Sequence, residues 1–195
     1  MSAPVNKMRY IYIACIATVI GTSACAPQIT PLNLSDPRLP AEARQGIADA
    51  QDEVVVAEGR LLDAEGELTR ARSAVTRLSA APPQLGAALP KLEAVGSERL
   101  ALRVAERDYA AADLRRAQAR LELMYAQTAL RYDLRVYELT PLENTAAATS
   151  REALAAREAL RPARARLEEA LSAWWEAYRA LGPDDARFWE GALTR

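Results

Sequence analysis

Few residues in this chain could do chemistry. Cys15 and Cys25 are the only cysteines, and the body after them has none. A disulfide framework or a cysteine-based zinc site in the body is therefore excluded. The chain contains no histidine, so it lacks the commonest general base near neutral pH and the commonest metal ligand. The Glu-x-x-His pairs of a two-metal helical bundle, haem attachment through C-x-x-C-H, and a Ser-His-Asp triad all fail on that count. No glycine-rich phosphate loop is present. Carboxylates adjoin at Glu168-Glu169 and Asp184-Asp185, but neighbours on a helix face different ways. The first pair reads as a solvated face and the second as a helix start. A two-carboxylate hydrolase is compatible with the residue types, but the pattern builds no cleft. The expectation is a protein that is not an enzyme, with no cofactor, no metal and no evident small-molecule substrate.

What remains is Cys25. It ends a leader that opens with "MSAPVNKMR", carrying Lys7 and Arg9, and continues with the apolar run "YIYIACIATVI". This is the charge and hydropathy order of a signal peptide. The apolar run stops near Ile20, and Gly21, Thr22, Ser23 and Ala24 follow it. A membrane span needs about 20 apolar residues, so an uncleaved anchor is the weaker reading. Residues 1–24 are expected to be removed. Ser23, Ala24 and Cys25 resemble the lipobox of bacterial lipoproteins, in which small residues precede an invariant cysteine. Thr22 stands where an aliphatic residue is usual. The resemblance implies lipidation of Cys25 on sulfur and cleavage that leaves it as the first residue. It further implies a bacterial envelope protein held by its acyl chains. Because Ala26 is not aspartate, the resemblance points to the periplasmic side of the outer membrane. Ordinary secretory cleavage, with a soluble periplasmic product, is the competing reading. Cys15 lies within the apolar run, too early to be the acceptor, and fills apolar space.

The net charge of −1 gives no reason to expect nucleic acid as a partner. Basic charge is almost all arginine, since Lys7 and Lys91 are the only lysines. Residues 25–40, with Pro27, Pro31, Pro37 and Pro40, read as the lipidated cysteine and a flexible tether. Residues 41–181 then carry heptad patterning. The expected fold is all-α: a long antiparallel, coiled-coil-like three-helix bundle, or elongated helical hairpins.

The first helix is expected over 41–81. Its stripe is Ile47, Val54, Leu61, Leu68 and Val75 with Ala50, Ala57, Ala64, Ala71 and Leu78. Alanine in the companion positions lets helices approach closely. Glu53, Arg60 and Glu67 flank the stripe on one side, and Glu58, Glu65 and Arg72 on the other. Gly59 and Gly66 fall on the opposite face. The paired prolines Pro82-Pro83 and Gly86 turn the chain. The second helix, expected over 90–140 and ending before Pro141, carries two series. One is Leu102, Tyr109, Arg116, Leu123, Leu130 and Tyr137 with Ala105, Ala112, Ala119 and Ala126. The other includes Leu100, Val104, Ala111, Leu114, Leu121, Tyr125 and Thr128. A helix apolar on two sides is covered on two sides, either by both neighbours or by one neighbour and a partner. "LENTAAATSRE" reads as the second connection, with Thr149 and Glu152 as a capping box. The third helix is expected over 149–181, kinked at Pro162, on a stripe of Ala153, Leu160, Leu167, Trp174 and Leu181 with Ala156, Ala163, Ala170 and Ala177.

The tail, 182–195, carries Phe188 and Trp189. Together with the off-stripe Trp175, these are candidate partner contacts; the competing reading is a tail that caps the bundle. The function expected from the sequence is structural or adaptor-like: a lipid-anchored protein that presents a coiled-coil surface to a protein partner or to itself. The alternative is a periplasmic, chaperone-like module holding client proteins.

Overall fold

The computed structural model describes residues 29–79 and 89–180. The chain divides between Thr30 and Pro31 into two units, and all the described helices belong to the second. They are α1 (Ala41–Ser79), α2 (Leu89–Arg131) and α3 (Leu139–Arg179). The fold is all-α, as the heptad patterning predicts.

The segment before α1 departs from a featureless tether. Asn33 and Asp36 fold it into successive turns. The Ser35 backbone N–H donates to Asn33 Oδ1 at 3.0 Å, and the Arg38 N–H donates to Asp36 Oδ1 at 2.9 Å. These are the local side-chain bonds by which Asn and Asp stabilise turns. Leu39 is thereby buried, so the body begins several residues before α1. Pro40 accepts the first bond of α1 from the Arg44 N–H at 3.2 Å.

The second connection also differs from the expectation. α2 ends at Arg131 rather than at Thr140. Asp133 takes a left-handed conformation, φ 51°, and the Leu134 N–H donates back to Ala129 O at 2.9 Å. This geometry usually uses glycine; aspartate is one of the few other residues that tolerate it. α3 then starts at Leu139, ten residues before Thr149. Pro141 sits in its first turn, where its missing N–H would have had no helical partner anyway. Thr149 is no cap: its hydroxyl donates to Thr145 O at 3.0 Å in mid-helix. The alanine-rich "NTAAATS" is helical, in keeping with alanine's propensity. α3 runs through Pro162 without a break. Pro162 and Glu158, whose carbonyl loses its partner there, are both exposed, so water can satisfy that carbonyl.

The contacts run in opposite senses along each adjacent pair, so the helices are antiparallel. Glu53, Arg60 and Glu67 of α1 pair with Arg116, Asp113 and Arg103 of α2. Glu98 and Arg115 of α2 pair with Arg166 and Glu152 of α3. α2 packs against both neighbours, whereas α1 and α3 scarcely approach each other. The two-sided apolar character of α2 is thus explained within the chain.

The stripes on α1 and α3 fall where the heptads place them. Ile47, Ala50, Ala57, Leu68 and Ala71 are buried on α1, and Ala153, Leu160, Ala163 and Trp174 on α3. On α2 the series of Leu102, Ala105 and Tyr109 packs against Leu160, Ala163 and Leu167 of α3. The side facing α1 is not a simple leucine series. It includes Gly96, which lies against Leu78 and Val75, together with the charged Arg103, Asp113 and Arg116. A Cβ on Gly96 would come within 2.9 Å of Leu78 Cδ1, so any larger residue there must push the Leu78 side chain aside.

Candidate functional site

Three features of the second unit merit comparison as sites: an ionic cluster, an aromatic end and an outward face of α1. The ionic cluster lies between α1 and α2. Asp113, on a helix face that is otherwise alanine-rich, is buried. Its Oδ1 accepts from Arg116 Nε at 3.0 Å and Nη2 at 2.8 Å, and its Oδ2 accepts from Arg60 Nη1 at 3.3 Å. Arg116 Nη2 also donates to Glu53 Oε1 at 2.8 Å, and Arg120 Nη1 to Glu53 Oε2 at 2.9 Å. Burial alone would lower the Arg116 pKa, but the hydrogen bonds and charges of Asp113 and Glu53 outweigh it and raise the value. Every carboxylate in the cluster is thus held by guanidinium. Such an arrangement fixes helix register and leaves no free base or nucleophile. A little further along, Gln51 Nε2 donates to Tyr125 Oη at 2.7 Å. Glu122 stands apart, its pKa raised by desolvation.

The aromatic end gathers where α3 finishes. Trp174 is fully buried with Leu92 and Val95, and Leu78, Leu167, Leu171 and Tyr178 pack around them. The Trp174 indole Nε1 is buried with no hydrogen-bond partner among the described residues. Trp175 is 48% exposed and stands edge-on to Tyr178, ring centroids 5.4 Å apart. This fits its place off the core stripe. Phe188 and Trp189, the other two candidate contacts, lie outside the described residues. So does Cys25, the lipidation candidate.

The third feature was not singled out by heptad reading. Val55 and Leu62, one heptad apart on α1, are 64% and 68% exposed. They lie on the side away from α2, together with Gly59 and Gly66. A Cβ on Gly59 would meet nothing within 4 Å, so nothing among the described residues explains a helix-weakening glycine there. The signal was legible: two large apolar residues a heptad apart, both off the core stripe.

No group of three or more Cys, Asp or Glu among the described residues could hold a metal ion. No described helix is long and apolar enough to cross a membrane. Glu168 and Glu169 are both exposed; Asp184 and Asp185 lie outside the described residues. Comparisons with protein-family models, with curated proteins and with solved structures found no match.

Proposed function

We propose that this protein is a lipid-anchored envelope lipoprotein with a structural or adaptor role and no catalytic activity. The observation that carries the reading is the lipobox-like Ser23-Ala24-Cys25 at the end of a signal-peptide-like leader. Cys25 is the acceptor, and the acyl chains attach the protein to the periplasmic side of the outer membrane. Several acyl chains give the stable attachment that one alone does not. The three-helix body supports the second half of the reading. It offers long helical faces, and the buried Asp113 is paired with Arg60 and Arg116.

The adaptor reading is preferred to client holding because positive charge is not gathered on any arm. Arg60, Arg103, Arg115, Arg116 and Arg166 each meet a carboxylate of a neighbouring helix. A single stable partner at fixed stoichiometry in pull-downs from envelope extracts supports an adaptor; many unrelated clients count against it.

The anchor is tested by the intact mass of the membrane-extracted protein. A product lacking residues 1–24 and carrying acyl mass, abolished in Cys25→Ser, is the expected result. A soluble, unmodified product would refute the anchor.

A further inference from the structure

The geometry points to a second copy of this chain as the occupant of the outward face of α1, paired antiparallel with its own α1. Read along the helix, that face is Ala48, Asp52, Val55, Gly59, Leu62, Gly66, Arg70 and Ser73. Steps of three and four residues keep all of them on one side. The order is self-complementary about a point between Arg60 and Leu61. When α1 is laid antiparallel on a copy of itself there, each Leu62 stands over Gly59 of the second copy, and each Val55 over its Gly66. Each Asp52 stands beside Arg70 of the second copy, and Ala48 beside its Ser73. Large side chains meet glycines, small meets small, and acid meets base.

Three observations on the face support this occupant. Val55 and Leu62 are exposed large apolar residues one heptad apart on this face. Isolated exposed apolar side chains are ordinary, but a clustered stripe marks an interaction surface. Gly59 has no neighbour among the described residues that requires it; a glycine there would let a second helix approach closely. Asp52 has no ion pair among the described residues, and Arg70 has only its exposed helix neighbour Glu67, at 3.0 Å. Glu58 and Glu65 would meet across the pair at its solvated rim, where ionic screening blunts the repulsion. A two-fold contact of this kind is closed, so it yields a dimer rather than a filament. The inference does not depend on the lipid anchor.

The test is the self-association of the detergent-solubilised full chain, measured by sedimentation up to about 100 μM. The expected result is a monomer–dimer equilibrium in which Leu62→Glu weakens association at least tenfold, roughly 1.4 kcal/mol. Leu62 is exposed, so helicity by circular dichroism should not change. Asp52→Arg and Arg70→Asp should each weaken the dimer, and the double exchange D52R/R70D should restore it. A parallel pair would set Asp52 against Asp52 and would not show that rescue. A wild-type chain that stays monomeric overturns the inference and leaves the face to a different protein. Dimerisation unaffected by Leu62→Glu, or single exchanges without rescue, overturns it as well.

Discussion

The two interfaces of α2 are built from different materials. Against α1, the buried apolar side chains include many alanines, and a chain of ion pairs runs beside them: Glu67–Arg103, Arg60–Asp113 and Glu53–Arg116. Against α3, the core contains Leu102, Leu160 and Ala163 at one level and Leu92, Val95 and Trp174 at another. Its ion pairs, Arg115–Glu152 at 2.6 Å and Arg166–Glu98 at 3.3 Å, join exposed or half-buried side chains at the rim. The difference shows two ways of fixing register. An alanine seam shifted by one heptad sets alanine on alanine again, so shape alone selects poorly. Charges of fixed order along α1 and α2 penalise the shifted alignments. On the other side one tryptophan suffices, because a side chain of its volume fits one place only.

This contrast can be broken most severely at Trp174. Trp174→Ala removes the largest fully buried side chain and should destabilise the protein by about 3–5 kcal/mol. Denaturant unfolding reads the loss. Hydrogen exchange should show the C-terminal half of α3 loosening before α1. Equal loosening of both would mean that the two interfaces are one cooperative core.

Asp113→Ala attacks the other side. It leaves Arg116 partly buried with Glu53 as its one remaining partner. Arg60, already exposed, loses little. The expected loss is about 2 kcal/mol, below the 3–5 kcal/mol of a fully buried broken pair. Here α1 amides should exchange faster while those of α3 are little affected. A loss of under about 0.5 kcal/mol would place Asp113 among ordinary surface ion pairs.

Gly59→Ala should act in the opposite direction on the protomer. Nothing crowds the added methyl group, so helix propensity should raise monomer stability by up to about 1 kcal/mol. Thermal unfolding at low concentration measures it without the proposed dimer.

The smallest effect concerns Glu122, whose pKa burial raises above its usual 4.5. A carboxyl group with a raised folded pKa favours folding while protonated. Its contribution is full below the unfolded value and is lost as pH rises through the folded one. Glu122→Gln should therefore stabilise at pH 7 by no more than about 0.5 kcal/mol. The gain should vanish below about pH 4.5. A pH-independent difference would place the cause in packing rather than in titration.

Much of this architecture is written in the sequence. Heptad spacing locates the buried stripes of α1 and α3, because a side chain's face on a helix depends only on its position. Pro82-Pro83 lie outside the described residues, between the end of α1 and the start of α2, and proline misleads at the second connection. Pro141 looks like a helix stop but occupies a first turn, and the true stop is Asp133, a residue type that does not announce left-handed backbone. Thr149 looks like a cap for the same reason: a capping box and a mid-helix threonine four residues after Thr145 share a local sequence. The turns that bury Leu39 are likewise invisible to a reading that stops at proline content.

The candidate sites divide in the same way. The lipidation proposed for Cys25 rests on local sequence alone, and Trp175 is legible as an off-stripe aromatic, exposed in the structure. The outward α1 face of Val55, Gly59 and Leu62 was legible as large apolar residues off the core stripe, but only packing shows that they stay exposed among the described residues. The sequence by itself determined that the chain is all-α, antiparallel and without histidine chemistry, since periodicity, turns and residue types are local properties. Only the tertiary structure decided that α2 lies between its neighbours, that Asp113 is buried and held by Arg60 and Arg116, and that Gly59 opens onto solvent. Those depend on which residues meet across long separations, and sequence spacing along one helix carries no record of the other.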